Sequence, residues 1–260
     1  MKTRSKRVFG FTDIHWENRD DEALHTAMAA MEDFKPDIVV IGGDLLDCSP
    51  FSHHPRKKMV EGLGRGWNER ELVPAIQFLD WVQDRTSYTY FLEGNHEEWI
   101  ERFCMTGGAA YRAIYDIISP KRNLSRGRKN FKYISYTNTK GTSGGCVKLS
   151  PRLSVVHGWT TCKHAAAKHL ELSRTRSIIF HHTHRRQMAT GRDPWSGQPI
   201  EAFSAGCLCK LQPIYAHGGS PTEWTHGFWV AYLGKHSYTA YPIPIIKGAA
   251  VLPDGRKIIG

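Results

Sequence analysis

Apolar positions fall into two rhythms along this chain, and their order predicts its architecture. Arg7 to Thr12 is a short strand-like run ending at Asp13-Ile14-His15. From Asp20 to Phe34 the apolar residues Ala23, Leu24, Ala27, Met28 and Met31 recur at helical spacing. Lys35-Pro36 stops that helix, because proline restricts the residue before it and has no backbone N–H. Asp37 to Ile41 reads as the second strand, and its uninterrupted apolar run from Ile38 is the pattern of a strand buried on both faces. Strand, helix, strand in this order predicts parallel pairing with a right-handed crossover.

The alternation continues. Glu71 to Arg85 reads as a helix with Leu72, Ala75, Ile76, Leu79 and Val82 on one face, and Tyr88 to Leu92 as a third strand. Helical segments follow through Trp99, Ile100 and Phe103 and over Ala109 to Ile118. The second half is richer in strands: Phe131 to Tyr136, Cys146 to Leu149, Leu153 to Val156 and Ser177 to Phe180, with a helix over Lys163 to Leu172. Two stretches break the rhythm. Cys48 to Arg70 reads as a long loop rich in His, Gly, Arg and Lys. Lys121 to Lys132 is basic and reads as an exposed linker between the halves. Residues 7–190 carry the chemistry, and the strands of 191–260, including Phe228 to Leu233 and Tyr238 to Ile246, are expected to complete a second sheet within one domain, 1–260.

Candidate ligands stand at five strand ends. They are Asp13-x-His15, Gly43-Asp44-x-x-Asp47, Gly94-Asn95-His96-Glu97, His157-Gly158 and His182-x-His184. The carboxyl ends of buried strands are where α/β proteins place ligand chemistry. Any one of these motifs also has a structural reading, as a helix cap, a turn or an ordinary histidine. All five in succession at strand ends point to a metal site.

In this order the motifs resemble the signature of the calcineurin-like metallophosphoesterase superfamily, D-x-H, G-D-x-x-D, G-N-H-[DE], H and G-H-x-H, over Asp13 to His184. The resemblance implies a four-layer α/β/β/α sandwich of two mixed sheets flanked by helices. It also implies two divalent ions, one on Asp13, His15, Asp44 and His184 and the other on Asp44, Asn95, His157 and His182. Asp44 would bridge them, and His96 would be the catalytic, non-ligand histidine oriented by Asp47. Such a donor set suits Mn²⁺ first, with Fe, Zn²⁺, Ni²⁺ or Mg²⁺ as alternatives. Two such ions neutralise phosphate charge and generate a bridging hydroxide that attacks phosphorus, while an imidazole protonates the leaving oxygen.

Several departures bear on the substrate. The glycine of G-H-x-H is replaced by His181, which is either tolerated packing or a substrate contact. Phosphoprotein phosphatases of the superfamily carry Arg after G-D-x-x-D and favour a basic residue before G-N-H-E; this chain has Cys48 and Glu93 there. An arginine fork recognises a phosphate dianion, so its loss favours diesters. His53, His54, Arg56, Lys57, Lys58 and Arg65 lie in the long loop, Lys163, His164, Lys168 and His169 follow His157, and Arg185 and Arg186 follow His184. His54, Arg56, His181 and Arg185 are the candidate substrate contacts. The chain is also similar to small phage-type metallophosphoesterases, which share its H-T-H-R and aromatic C-terminal region, Trp224 to Trp229.

Bulk composition agrees. A formal net charge of +10 favours a polyanionic partner, so nucleic acid or a nucleotide is the expected substrate. Six cysteines in 260 residues do not make a disulfide framework, and Cys207 and Cys209 are expected to be free thiols. No apolar run is long enough to span a membrane, and the basic N-terminus lacks an apolar continuation, so a cytoplasmic location is expected. The sequence therefore points to a metal-dependent phosphodiesterase or nuclease. Its rivals are a phosphomonoesterase acting on protein or nucleotide, and a non-catalytic scaffold with the same fold.

Overall fold

The computed structural model describes residues 4–52, 66–136, 145–213, 222–235 and 237–260. The first sheet forms around β1 (Lys6–Phe11), β2 (Ile38–Ile41), β3 (Tyr88–Leu92) and β4 (Phe131–Ile134), which pair in parallel in that order. Helix α1 (Asp21–Phe34) makes the first crossover, with Asp20 as its N-cap accepting from the Ala23 amide at 2.9 Å. Helices α2 (Val73–Gln83), α3 (Asn95–Thr106), α4 (Ala109–Ile118) and the short α5 (Pro120–Ser125) supply the others. A single π-type turn, Asn68–Leu72, leads into α2, so the long loop ends earlier than its lack of periodicity suggests.

The second sheet has the order β5 (Cys146–Lys148), β6 (Leu153–Val156), β7 (Ser177–Phe180), β9 (Pro199–Ala205), β8 (Arg186–Arg192), with β6, β7 and β9 parallel. Helix α6 (Ala165–Ser173) covers its outer face. Strands β10 (Gly227–Leu233) and β11 (Tyr238–Pro244) do not complete this sheet. They cross to the first one, where β10 pairs antiparallel with β1 from Lys6↔Leu233 to Gly10↔Trp229. The reason is burial: both faces of β10 are apolar and buried, and β1 offers an unpaired edge between two packed layers. A small hairpin, β12 (Ala249–Val251) with β13 (Lys257–Ile259), closes the chain.

Alternation along β1 and β2 explains the layering. Phe9, Phe11, Val39 and Ile41 face α1 and α2 in one apolar cluster. Val8 and Val40 face Leu153, Val155, Ile179 and Phe203 of the second sheet in another. The result is the α/β/β/α sandwich. The basic stretch 121–132 is no linker: α5 and β4 occupy most of it. Arg128 is folded in, donating to the Ile76 carbonyl at 2.9 Å and pairing with Asp80. Among the described residues no helix is long and apolar enough to cross a membrane.

Candidate metal centre

The carboxyl ends of β1, β2 and β3 converge with those of β6 and β7, and the turns that follow are strained. Of nine non-glycine residues with positive φ among those described, five lie here: His15, Asp44, Cys48, His182 and His184, with φ between 48° and 70°. Such conformations cost of order 1 kcal/mol each and persist only when the surroundings over-determine them. Two buried carboxylates do so for the turn 43–48. Glu97 accepts from the Asp44, Leu46 and Gly94 amides at 3.1, 2.9 and 2.8 Å. Glu71 accepts from the amides of Asp47 and, at 2.8 Å, Cys48. Burial pushes the Glu71 carboxyl well up; burial and then the nearby Asp44 charge push Glu97 up to about 8. Glycine is required at position 94, since a Cβ there would lie 2.1 Å from Asp44 Oδ1.

Asp44 is held at this crossing with its two oxygens assigned to different tasks. Oδ1 accepts the His96 backbone N–H at 3.0 Å. Oδ2 lies 3.6 Å from His15 Nε2 and 3.3 Å from His157 Nε2, between the two donor sets. A single oxygen therefore faces both sets. On one side His15 Nε2 and His184 Nε2 are 3.1 Å apart, and Asp13 Oδ1 is 3.6 Å from His184 Nε2. On the other, Asn95 Oδ1 is 3.0 Å from His157 Nε2, and His182 completes a cluster with Asp44 and His157. Metal–ligand bonds of ~2.1 Å place neighbouring donors ~3.0–3.4 Å apart in tetrahedral or octahedral arrangements, so both sets have the spacing a transition-metal ion needs.

Second contacts fix which nitrogen is available. His157 Nδ1 lies 2.9 Å from the Gly42 carbonyl, an acceptor only, so Nδ1 carries the hydrogen and Nε2 is turned to the cluster. His184 Nδ1 faces Cys209 Sγ at 3.7 Å, leaving its Nε2 toward His15. Burial brings the His182 imidazole down to about 3 and lowers that of His184, which leaves both neutral, as ligation requires. His157 goes the other way. Burial alone would lower it, but the Asp44 carboxylate beside it outweighs burial and holds it at about 10. Asp44 in turn is held well below the usual carboxylate range: burial opposes this, and the cationic imidazoles, His157 foremost, overcome it. With no metal, a proton on His157 supplies part of the positive charge the cluster is built around.

His96 stands beside this cluster on the first turn of α3. Its Nδ1 is 2.8 Å from the Asp47 main-chain carbonyl and 3.4 Å from the Asp47 carboxylate. The carbonyl is the nearer acceptor and fixes the hydrogen on Nδ1, leaving Nε2 as the exchanging nitrogen. Asp47 Oδ1 also lies 3.5 Å from His15 Nδ1, and its other oxygen takes the Asn18 amide N–H. Trp99, one helical turn beyond His96, stacks on the imidazole at 3.9 Å. Asn18, Glu71 and Trp99 were given no role by the sequence. Trp99 could have been found from its i, i+3 spacing to His96, whereas nothing local marks Asn18 or Glu71.

Residues 6–217, four-fifths of the chain, match the family described as calcineurin-like phosphoesterase. The chain belongs to that family. No curated protein matches. Among solved structures, Vacuolar Protein Sorting 29 from Cryptosporidium parvum is similar in fold, with a TM-score of 0.53 at 11% identity over 99% of this chain and 100% of that one. The phosphoesterase Yfce from E. coli reaches 0.40 at 14% identity over 91% and 98%. The nuclease MPE from Pseudomonas putida reaches 0.35 at 10% over 85% and 83%.

Against the family pattern, the departures can now be placed. Cys48 is fully buried, its amide tied to Glu71, and its thiol is pushed well up by burial and then by the carboxylates around it. It is a packing residue. Glu93 is engaged within the fold, accepting from Tyr133 Oη at 2.9 Å and the Tyr136 amide at 2.6 Å. Tyr136 itself was not foreseen: its ring stands edge-on to His157 at 6.0 Å. Arg185 is near the cluster but already engaged, by Glu223 at 3.1 Å and the Thr161 and Cys162 carbonyls at 3.1 and 2.7 Å. Lys163, His164 and Arg186 line a cavity of about 380 Å³ with it.

His169 is not part of a basic mouth. It is buried, accepts the Trp159 amide at 2.8 Å and is brought down to about 4 by burial, so it is a neutral structural residue. His181 is not a substrate contact either, being fully buried against Gly42 and lowered to about 4 by burial. His54 and Arg56 lie outside the described residues. Cys207 and Cys209 are free and both buried, and neither belongs to a strand.

Proposed function

We propose that the protein is a binuclear metal-dependent phosphodiesterase acting on nucleic acid or a nucleotide. The observation that carries this reading is Asp44 Oδ2, which faces His15 on one side and His157 on the other. Asp13, His15, Asp44 and His184 would hold one divalent ion, and Asp44, Asn95, His157 and His182 the other. When bound, such a pair supplies charge neutralisation of the phosphoryl group and activation of water, with Mn²⁺ the ion that best suits these donors. The chain's own residues do the rest. Asp47 holds the His96 hydrogen on Nδ1, so a protonated His96 offers Nε2–H to the leaving oxygen as the ester bond breaks. Trp99 fixes the plane of that ring.

Preference for diesters rests on what surrounds the cluster. Cys48 replaces the guanidinium that would grip a terminal phosphate dianion, and it is buried. Lys163 and Arg186 instead offer positive charge in the adjoining cavity, which suits a backbone that continues past the scissile bond. The deciding experiment assays the Mn²⁺-loaded protein on bis(p-nitrophenyl) phosphate and p-nitrophenyl phosphate, then on single-stranded DNA, duplex DNA, RNA and cyclic nucleotides. The diester and at least one nucleic acid or nucleotide should be hydrolysed. A strong monoester preference would overturn the reading in favour of a phosphatase, and metal binding without turnover on any ester would favour a scaffold.

A further inference from the structure

Behind the first donor set lie a carboxylate oxygen and an imidazole to which the mechanism gives no task. Asp13 Oδ1 accepts the His182 amide at 3.0 Å and faces His184 Nε2, which makes it the oxygen on the ligand side. Asp13 Oδ2 points back into the sandwich and has no hydrogen-bond partner. The nearest ionisable side chain is His181, whose Nδ1 is 3.9 Å away. His181 is itself fully buried, and neither of its ring nitrogens has a partner. Its place is tightly specified: it follows the last residue of β7, its amide donates to the His157 carbonyl at 2.8 Å, and its ring fills the space that a Cβ on Gly42 would claim at 2.5 Å.

A gap of 3.9 Å is too long for a hydrogen bond, and too short for a water bridge, which needs two bonds of ~2.8 Å end to end. Yet a donor and an acceptor, each without a side-chain or backbone partner, face one another in the buried interior. A side-chain shift of ~1 Å closes the contact. Drawing Asp13 Oδ1 onto an ion re-aims the carboxylate and supplies the reason to shift. We propose that His181 is a positioning residue for the first metal site, donating Nδ1–H to Asp13 Oδ2 once that site is loaded. The inference rests on the metal-binding reading above. It gives a role to the one ligand-motif position where this chain departs from the family's glycine. Outer contacts of this kind orient ligands and change metal affinity by roughly 10–100-fold.

The test titrates wild type, His181→Leu and His181→Asn with Zn²⁺ against a competing chelator. Leucine keeps the volume without a donor, and asparagine can present an N–H near the position of Nδ1. We expect His181→Leu to weaken one of the two sites about 10–100-fold while sparing the other, and His181→Asn to restore most of the loss. The metal-free leucine variant should melt above wild type, because two unpartnered nitrogens have left the core. Should the leucine variant not fold, ¹⁵N resonances of wild-type His181 serve: Zn²⁺ should bring Nδ1 to a protonated, hydrogen-bonded shift. Unchanged affinities in both variants, equal weakening of both sites, or an unmoved Nδ1 would overturn the role of His181 alone. Wild type that binds no Zn²⁺ would instead bring down the functional reading.

Discussion

The two donor sets share Asp44 but differ in setting. Asp13, His15, Asp44 and His184 are all buried, each at most 6% exposed. The second set is half open: Asn95 and His182 are partly exposed, and Asn95 contributes a neutral amide rather than a carboxylate. Asp13 belongs to the first set alone, so the first site has two carboxylates and the second only the shared one. On the proposed binuclear reading, the greater charge and burial of the first set predict tighter binding there, and the exposure of Asn95 and His182 predicts that substrate approaches from the second. The difference teaches that one carboxylate can stand between two donor sets of unequal burial and charge.

The comparison would be broken most severely by Asp44→Asn, which should abolish high-affinity binding at both sites and lower turnover by 10³ or more, to order of magnitude. Metal analysis and steady-state rates measure this, and normal occupancy in the variant would refute the shared bridge. His96→Ala leaves both donor sets intact and should cost about 10²–10⁴ in turnover, with metal content unchanged. The loss should shrink for an aryl ester whose leaving group needs no proton. An equal loss on both esters would exclude the general-acid role.

Asn95→Ala sharpens the contrast. It should weaken the second site by about tenfold or more and spare the first, seen as one ion retained in equilibrium dialysis. Loss of both ions would show that the sites are not independent. The smallest expected effect is on pH. His157 sits at about 10 in the folded metal-free protein against an ordinary 6.5, so the folded chain keeps a proton that the unfolded chain releases. That stabilisation is complete below about 6.5 and is lost as pH rises toward 10. Melting temperatures with chelator should therefore fall across this window. Saturating Mn²⁺ should flatten the trend, because ligation needs the neutral imidazole and the ion replaces the proton. For the same reason the second site should tighten more steeply with pH than the first. A flat chelator profile would contradict the His157–Asp44 coupling.

Most of the parallel framework was legible along the chain. The limits of β3, β6 and β7 were readable from buried apolar runs bounded by turn residues, and α1 from its apolar period. The destination of β10 was not. An apolar strand carries no mark of which edge it will join, and the second sheet was the wrong assignment. The basic run 121–132 misled for a related reason: a guanidinium looks solvated in sequence, but Arg128 satisfies its donors on Ile76 and Asp80 inside the fold. Neither His169 nor His181 showed its burial in sequence, because a histidine's charge depends on what packs around it.

By itself the sequence determined the ligand types and their order, since turns at the ends of apolar strands can be read one at a time. Only the tertiary structure decided what those ligands share. Asp44 Oδ2 between His15 and His157, the Asp47 carbonyl beneath His96, and His181 behind Asp13 are contacts across 29 to 168 positions of chain. They arise because two sheets pack face to face and bring five strand ends to one edge. No local pattern encodes which atoms then meet.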